Sequence, residues 1–201
     1  MSELERWESR YSEPGYLFGT EPSVFLKRHA HLLRPGLTAL AVADGEGRNG
    51  VFLAERGLDV LAIDISPTAL AKAQALAKER GVALRTEVAN LHDWTWPTGA
   101  FDAIVAIFIQ FSMPNLRTRL FAGIKQALKP GGLLLLQGYR PEQIKYKTGG
   151  PSDPERLYTR ALLEQAFADF SSLAIEEHDS VLSEGSHHIG TAALIDLVGR
   201  K

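Results

Sequence analysis

Residues 37–64 constrain this chain more than any other stretch, because they read in order as strand, glycine loop, helix, strand and terminal acid. Residues 37–43 are a short apolar run without a helical stripe, which suits a strand buried on both faces. Gly45 and Gly47 then let the backbone approach a ligand at a distance that a Cβ would forbid. Asn49 or Gly50 opens a helix whose apolar residues Val51, Phe52 and Ala54 are expected to face inward. Gly57 is placed to end that helix in the left-handed conformation. Residues 58–63 form a second buried strand with Asp64 at its carboxyl tip. Open α/β sheets bind ligands outside the carboxyl ends of their strands, so the loop and Asp64 should face one crevice. An acid at this distance from the glycines typically receives the two hydroxyls of a ribose.

Gly45, Gly47 and Gly50 also spell G-x-G-x-x-G, a dinucleotide pattern that by itself equally fits a tight strand-to-helix turn with no ligand. The loop neighbours Asp44 and Glu46 are both acidic. A dinucleotide would set its pyrophosphate against them, and like charges a few ångströms apart cost about 1 to 4 kcal/mol. A ligand carrying a sulfonium and an ammonium would be attracted instead, and S-adenosylmethionine (SAM) is such a ligand.

Beyond this unit the chain keeps alternating. Residues 1–21 carry Trp7, Tyr11, Tyr16 and Phe18 among charges, and read either as an amphipathic lead-in or as a lid. A helix is expected over residues 22–33, with Phe25, Leu26, Leu32 and Leu33 buried, before Pro35-Gly36 stops it. Ser66 caps a helix that begins at Pro67, carries Ala69, Leu70, Ala73, Leu76 and Ala77 as its apolar stripe, and ends at Gly81. Strands are expected over residues 83–88, 101–107 and 133–137, and helices over 114–128 and 159–170. Lys129-Pro130-Gly131-Gly132 reads as a stop, and residues 139–154 as a long loop. Residues 173–178 and 191–198 are two closing strands near enough to form a hairpin. The fold class is therefore α/β: a single doubly wound, mostly parallel, Rossmann-like sheet with an antiparallel C-terminal hairpin.

Composition narrows the partners. With 201 residues and 45% apolar content the chain suffices for one α/β domain. A net charge of −2 gives no reason to expect nucleic acid. There is no cysteine, which leaves neither disulfides nor thiolate chemistry. The charged first ten residues lack the apolar core of a signal peptide, no run reaches the length of a membrane span, and the expectation is a cytoplasmic protein without a membrane partner.

The chain resembles the class I SAM-dependent methyltransferases, and within them the small bacterial tellurite-resistance and thiopurine-methylating branch. The resemblance is carried by Trp7 and Tyr11 as W-x-x-x-Y, and by residues 15–22 as G-Y-x-F-G-T-E-P. It continues through Gly45-Glu46-Gly47-Arg48-Asn49, Asp64-Ile65-Ser66, Asn90-Leu91, Phe101-Asp102 and Leu128-Lys129-Pro130-Gly131-Gly132. It implies the seven-stranded sheet of that class over a single domain of residues 1–201, with 1–36 as helical lead-in or lid and 37–201 as core. It implies SAM as cofactor and, with Asp44, the following roles. Gly45 and Gly47 support the methionine and ribose portion, with Glu46 between them. Arg48 either binds the methionine carboxylate or makes a salt bridge. Asp64 holds the ribose, Ile65 packs on the adenine, Asn90 and Leu91 meet the adenine edge, and Ile107 lies near the sulfonium. The family loop usually starts with an acid and has a further upstream glycine; Ala41 and Ala43 stand at those positions here.

The resemblance implies in-line methyl transfer to a small-molecule acceptor such as a thiol or oxyanion. No strong general base stands out. His187 and His188 in the closing hairpin are the nearest candidates, their spacing with Glu184 is poor for a metal, and no metal is expected. Phe108, Gln110 and Phe111 are candidates for the acceptor pocket. The alternatives are an NAD(P)-dependent oxidoreductase, and a SAM-fold binding or regulatory protein without turnover.

Overall fold

The computed structural model describes residues 2–185 and 188–201, which gather into two compact units. Between them they hold a seven-stranded mixed sheet.

The first unit contains residues 2–94 with 184 and 185. Its elements are α1 (Glu3–Tyr11), α2 (Val24–Arg28), β1 (Thr38–Val42), α3 (Arg48–Glu55), β2 (Asp59–Asp64), α4 (Pro67–Glu79) and β3 (Arg85–Val88). The strands lie in the order β3-β2-β1 and are all parallel, with Leu40 beside Leu61 and Asp64 beside Val88. Leu40, Ala62 and Ile63 are fully buried, so each large apolar side chain here contributes about 1.5 to 3 kcal/mol. The α4 stripe falls where its spacing places it: Ala69, Leu70, Ala73, Leu76 and Ala77 are all buried. Ser66 caps this helix by accepting from the Ala69 N–H at 3.0 Å.

Three boundaries here differ from expectation. The helix expected over residues 22–33 starts at Val24 behind a Ser23 cap, breaks at His29 and resumes as a 3₁₀ turn over Ala30–Leu32. His29 is itself responsible in part, since its ring Nδ1 lies 3.0 Å from the Phe25 carbonyl oxygen, competing at the helix end. Second, α3 opens at Arg48 because Gly47, left-handed at φ 89°, is its N-cap; Val51 and Leu53 are its buried apolar residues, while Phe52 and Ala54 are only half-buried. Third, β3 is short and largely exposed, and the preceding Val82 and Leu84 pack on Val51, Leu76 and Ala77 instead of extending it.

The second unit holds β4 (Phe101–Ile107), α5 (Pro114–Ala127), β5 (Leu128–Tyr139), α6 (Gln143–Tyr146), α7 (Arg160–Ala166), β6 (Ser172–Glu184) apart from its last residue, and β7 (His188–Arg200). Its strand order is β4-β5-β7-β6, with β4 and β5 parallel and β5 and β7 antiparallel. The Lys129–Gly132 stretch follows the end of α5 at Ala127, as its turn residues led one to expect, but it is not a loop. It lies within β5 as an irregularity opposite Phe101 and Ala103, where the N–H groups and carbonyls of Gly131, Gly132 and Lys201 pair. The closing strands are longer than the apolar pattern shows, because backbone pairing continues past the buried residues. The expected loop over residues 139–154 contains α6, held by Gln143, which takes the Ala193 N–H at 2.8 Å and donates to Thr148 and Gly149 at 3.0 Å. Among the described residues no helix is long and apolar enough to cross a membrane.

Candidate functional site

The site candidates from residue 44 to residue 91 all lie in the first unit, at the carboxyl tips of β1, β2 and β3. The chain leaves β1 through Ala43, which adopts φ 48°, and turns through Gly45 at 59° and Gly47 at 89°. A non-glycine residue in this region carries about 1 to 2 kcal/mol of strain. Ala43 therefore occupies a position whose backbone suits glycine, as the family comparison of the loop implied.

Asp64 joins the loop to β2. Its Oδ2 accepts from the Gly45 N–H at 2.9 Å and its Oδ1 from the Ser66 N–H at 2.9 Å. The residue is 5% exposed. Burial raises its carboxyl above the ordinary range, while the N–H groups of Ser66, Gly45 and Ile65 oppose that rise. A carboxylate offers about four acceptor positions, so further hydroxyl donors can still be received.

The two loop acids turn inward. Both oxygens of Asp44 accept from the Gly50 N–H, at 3.1 and 3.0 Å, which ties the loop to the first turn of α3. Burial pushes the Asp44 carboxyl up to about 7; the Gly50 N–H opposes this, the Asp64 charge adds to it and Arg48 lowers it. Part of the Asp44 surface stays exposed, so water offsets some of that burial. Glu46 is buried, accepts from the Leu17 N–H at 2.6 Å, and pairs with Lys72 at 2.9 Å. The Lys72 ammonium also donates to the carbonyls of Glu13 and Gly15, at 2.8 and 2.7 Å. Neither acid presents a free charge to a ligand, so the charge argument for a sulfonium over a pyrophosphate loses its force.

Arg48 makes a buried ion pair with Glu184 at 2.8 Å, and its other terminal nitrogen donates to the Phe18 carbonyl at 3.4 Å. Ile65 is half-buried just beyond β2, and Leu91 is buried. Asn90 is exposed and opens a turn: its Oδ1 accepts from the His92 N–H at 3.1 Å and its amide donates to Asp93 at 3.0 Å. The lead-in also reaches this site, which the sequence did not disclose residue by residue. Glu8 accepts from Ser66 Oγ, from the Thr68 N–H at 3.2 Å and from Thr68 Oγ1 at 2.7 Å, and these bonds lower its carboxyl below the ordinary value. Tyr11 lies against Gly45, where a Cβ would come within 2.7 Å of its hydroxyl.

In the second unit Ile107 ends β4 and is buried. Phe108 follows at φ 58°, stacks on Tyr139 at 4.7 Å and meets the edge of His188 at 4.6 Å. Gln110 braces this turn, donating to the Tyr139 carbonyl at 2.9 Å and accepting from its N–H at 2.5 Å. His187 lies outside the described residues. Among the described residues no group of three or more His, Asp or Glu is arranged to hold a metal ion.

The chain is similar to known proteins in sequence and in fold. A family profile described as a methyltransferase domain matches residues 39–132, just under half of the chain. The chain is 36% identical over 134 residues to the ribosomal protein L11 methyltransferase of Thermus thermophilus, covering 63% of this chain and 49% of that protein. It is 33% identical over 141 residues to the glycine/sarcosine N-methyltransferase of Halorhodospira halochloris, covering 67% and 48%. It thus spans about half the length of these curated relatives. The N-methyltransferase NodS of Bradyrhizobium japonicum, solved with S-adenosylhomocysteine, superposes with a TM-score of 0.72 at 15% identity, covering 98% of this chain and 97% of that one. The chain therefore carries a methyltransferase domain on the fold of the S-adenosylmethionine-dependent methyltransferases.

Proposed function

We propose that this chain binds SAM at the loop of residues 44–48 and moves its methyl group to a small-molecule acceptor, a thiol, an oxyanion or a similar nucleophile. The observation that carries this reading is the Asp64 carboxylate. It is buried, bonded to the first loop glycine, and still has acceptor positions for a ribose. The left-handed glycines let Tyr11 and Ala73 pack directly on the loop, so the fit to an adenosyl ligand rests on the Asp64 carboxylate.

SAM supplies an activated methyl group on a sulfonium. The chain's own residues orient and shield. Asp64 receives the ribose hydroxyls, Ile65 and Leu91 offer apolar surface to the adenine, and the Leu91 N–H serves its edge. The Asn90 side chain braces its own turn and keeps one lone pair for an adenine amine. Asp44 and Glu46 hold the loop's shape. Arg48 acts through its pair with Glu184 more than as a receptor for the methionine carboxylate. In-line displacement needs alignment and a dry site more than a strong base, which suits soft anionic acceptors. The lead-in motifs around Trp7, Tyr11 and residues 15–22 support a place in the tellurite-resistance and thiopurine branch.

The test combines calorimetry with S-adenosylhomocysteine and NAD with transfer of labelled methyl to a panel of thiols, oxyanions, phenols and amines. Binding of S-adenosylhomocysteine alone, weakened roughly tenfold or more by Asp64→Asn, with label entering a small molecule, is the expected result. Binding of NAD alone would overturn the cofactor. Label entering only added protein would overturn the acceptor class, and binding without transfer to any acceptor would leave a non-enzymatic protein.

A further inference from the structure

The second unit carries a hydrogen-bonded chain of side chains that the proposed methyl transfer does not use. It runs across three neighbouring strands. Ser180 and His178 are two residues apart on β6, so they stand on one face of the sheet. Ser180 Oγ lies 2.8 Å from His178 Nδ1, and His178 Nε2 lies 3.0 Å from Asp196 Oδ2 on β7. Asp196 is 3% exposed, stands beside Gln137 in the β5–β7 register, and takes the Gln137 amide on its other oxygen at 2.7 Å. These contacts fix the direction of the protons. A carboxylate only accepts, so His178 carries its hydrogen on Nε2 and keeps a lone pair on Nδ1. The serine O–H therefore donates to Nδ1, the arrangement in which an imidazole can take that proton. Ser180 and His178 are half-buried, so the chain of bonds opens to solvent at its serine end and is closed at its carboxylate end. β6 is also the last strand of the sheet, so alternate backbone N–H groups point away from β7. One of the consecutive N–H groups of Ser180 and Val181 faces outward in this way and supplies a donor for an oxyanion.

We propose that Ser180 is a nucleophile and His178 its general base, in a second reactive site built wholly from the second unit, which takes acyl groups from activated esters with a phenol-like leaving group. Ser180 Oγ attacks the carbonyl carbon as its proton passes to His178 Nδ1. The bond from that carbon to the phenol oxygen then breaks, and the proton leaves with the phenol. Water, deprotonated in turn by His178, attacks the acyl-serine ester and releases a carboxylic acid and free Ser180. Asp196 and Gln137 are positioning residues: they hold the tautomer and touch no substrate. The site does not depend on the SAM reading of the glycine loop.

The experiment treats the full chain with a fluorophosphonate and with 4-nitrophenyl acetate, and locates the adduct by mass spectrometry of digested peptides. Wild type is expected to carry it on Ser180. Ser180→Ala should abolish that adduct, and His178→Gln and Asp196→Asn should each slow its formation about a hundredfold. Asp196→Asn keeps both reacting residues but turns a donor toward Nε2. Nitrogen NMR of the imidazole should therefore show the proton on Nε2 in wild type and on Nδ1 in this variant, while the melting temperature stays level. A wild type that gains no adduct on Ser180 would overturn the proposal. So would labelling of Ser180 that continues at the wild-type rate in Asp196→Asn. An adduct confined to lysines or to His178 itself would show an amine or imidazole reacting alone, and would equally defeat it. His178→Gln, at a partly exposed position, decides the role of the base independently of Asp196.

Discussion

Asp44 offers the most quantitative test of how this loop is held. Its carboxyl stands at about 7 in the fold and near 4 in an unfolded chain. Between those values the folded protein keeps a proton that the unfolded chain has released. Stability therefore falls as pH rises from about 4 to about 7 and levels off above. At roughly 1.4 kcal/mol per pH unit the full penalty is about 4 kcal/mol, and the exposed part of Asp44 brings the expectation to about 2 to 4 kcal/mol. Asp44→Asn cannot ionise, yet it keeps an oxygen for the Gly50 N–H. Urea unfolding of both proteins across this range, read as the difference in stability at each pH, isolates the one carboxyl and its repulsion with Asp64. The variant is expected to match wild type near pH 3.5, to gain steadily to about pH 7.5, and to hold a constant lead beyond. A gap that is the same at every pH would refute the argument, because it would show that Asp44 ionises as freely in the fold as in the unfolded chain.

Two further outcomes follow from the same loop. Gly47→Ala should lower stability by about 2 to 4 kcal/mol in thermal unfolding, because φ 89° is strained for alanine and the new methyl would meet Ala73 Cα at 2.8 Å. Lys72→Met should cost about 1 to 3 kcal/mol and raise amide exchange over residues 13–18 before other segments, since one ammonium ties Glu13, Gly15 and the buried Glu46 together.

Much of the architecture was legible because it is written in local patterns. The Ser66-Pro67 start and the α4 stripe depend only on capping chemistry and a 3.6-residue period, and both stand as read. β4 was bounded by its apolar run alone. Boundaries failed where apolarity and backbone pairing part company. Lys129 to Gly132 carries every sign of a turn, yet the backbone pairs on through β5 because Lys201 supplies partners from the far end of the chain. The break at His29 was hidden because a histidine that bonds back to its own helix leaves no hydrophobic signature.

At the site, sequence by itself determined which residues stand at the strand tips: two glycines, an acid after β2, an apolar neighbour. Chain direction, spacing and the absence of Cβ atoms suffice for that. Only the tertiary structure decided where the charges go. Asp44 ties the loop to the first turn of α3, Glu46 takes the lead-in backbone and Lys72, and Arg48 pairs with Glu184, 136 residues away. Those choices, and the approach of Tyr11 to Gly45, depend on which side chains arrive from distant segments. A buried charge must be satisfied by whatever partner the packing brings to it, and no local pattern names that partner.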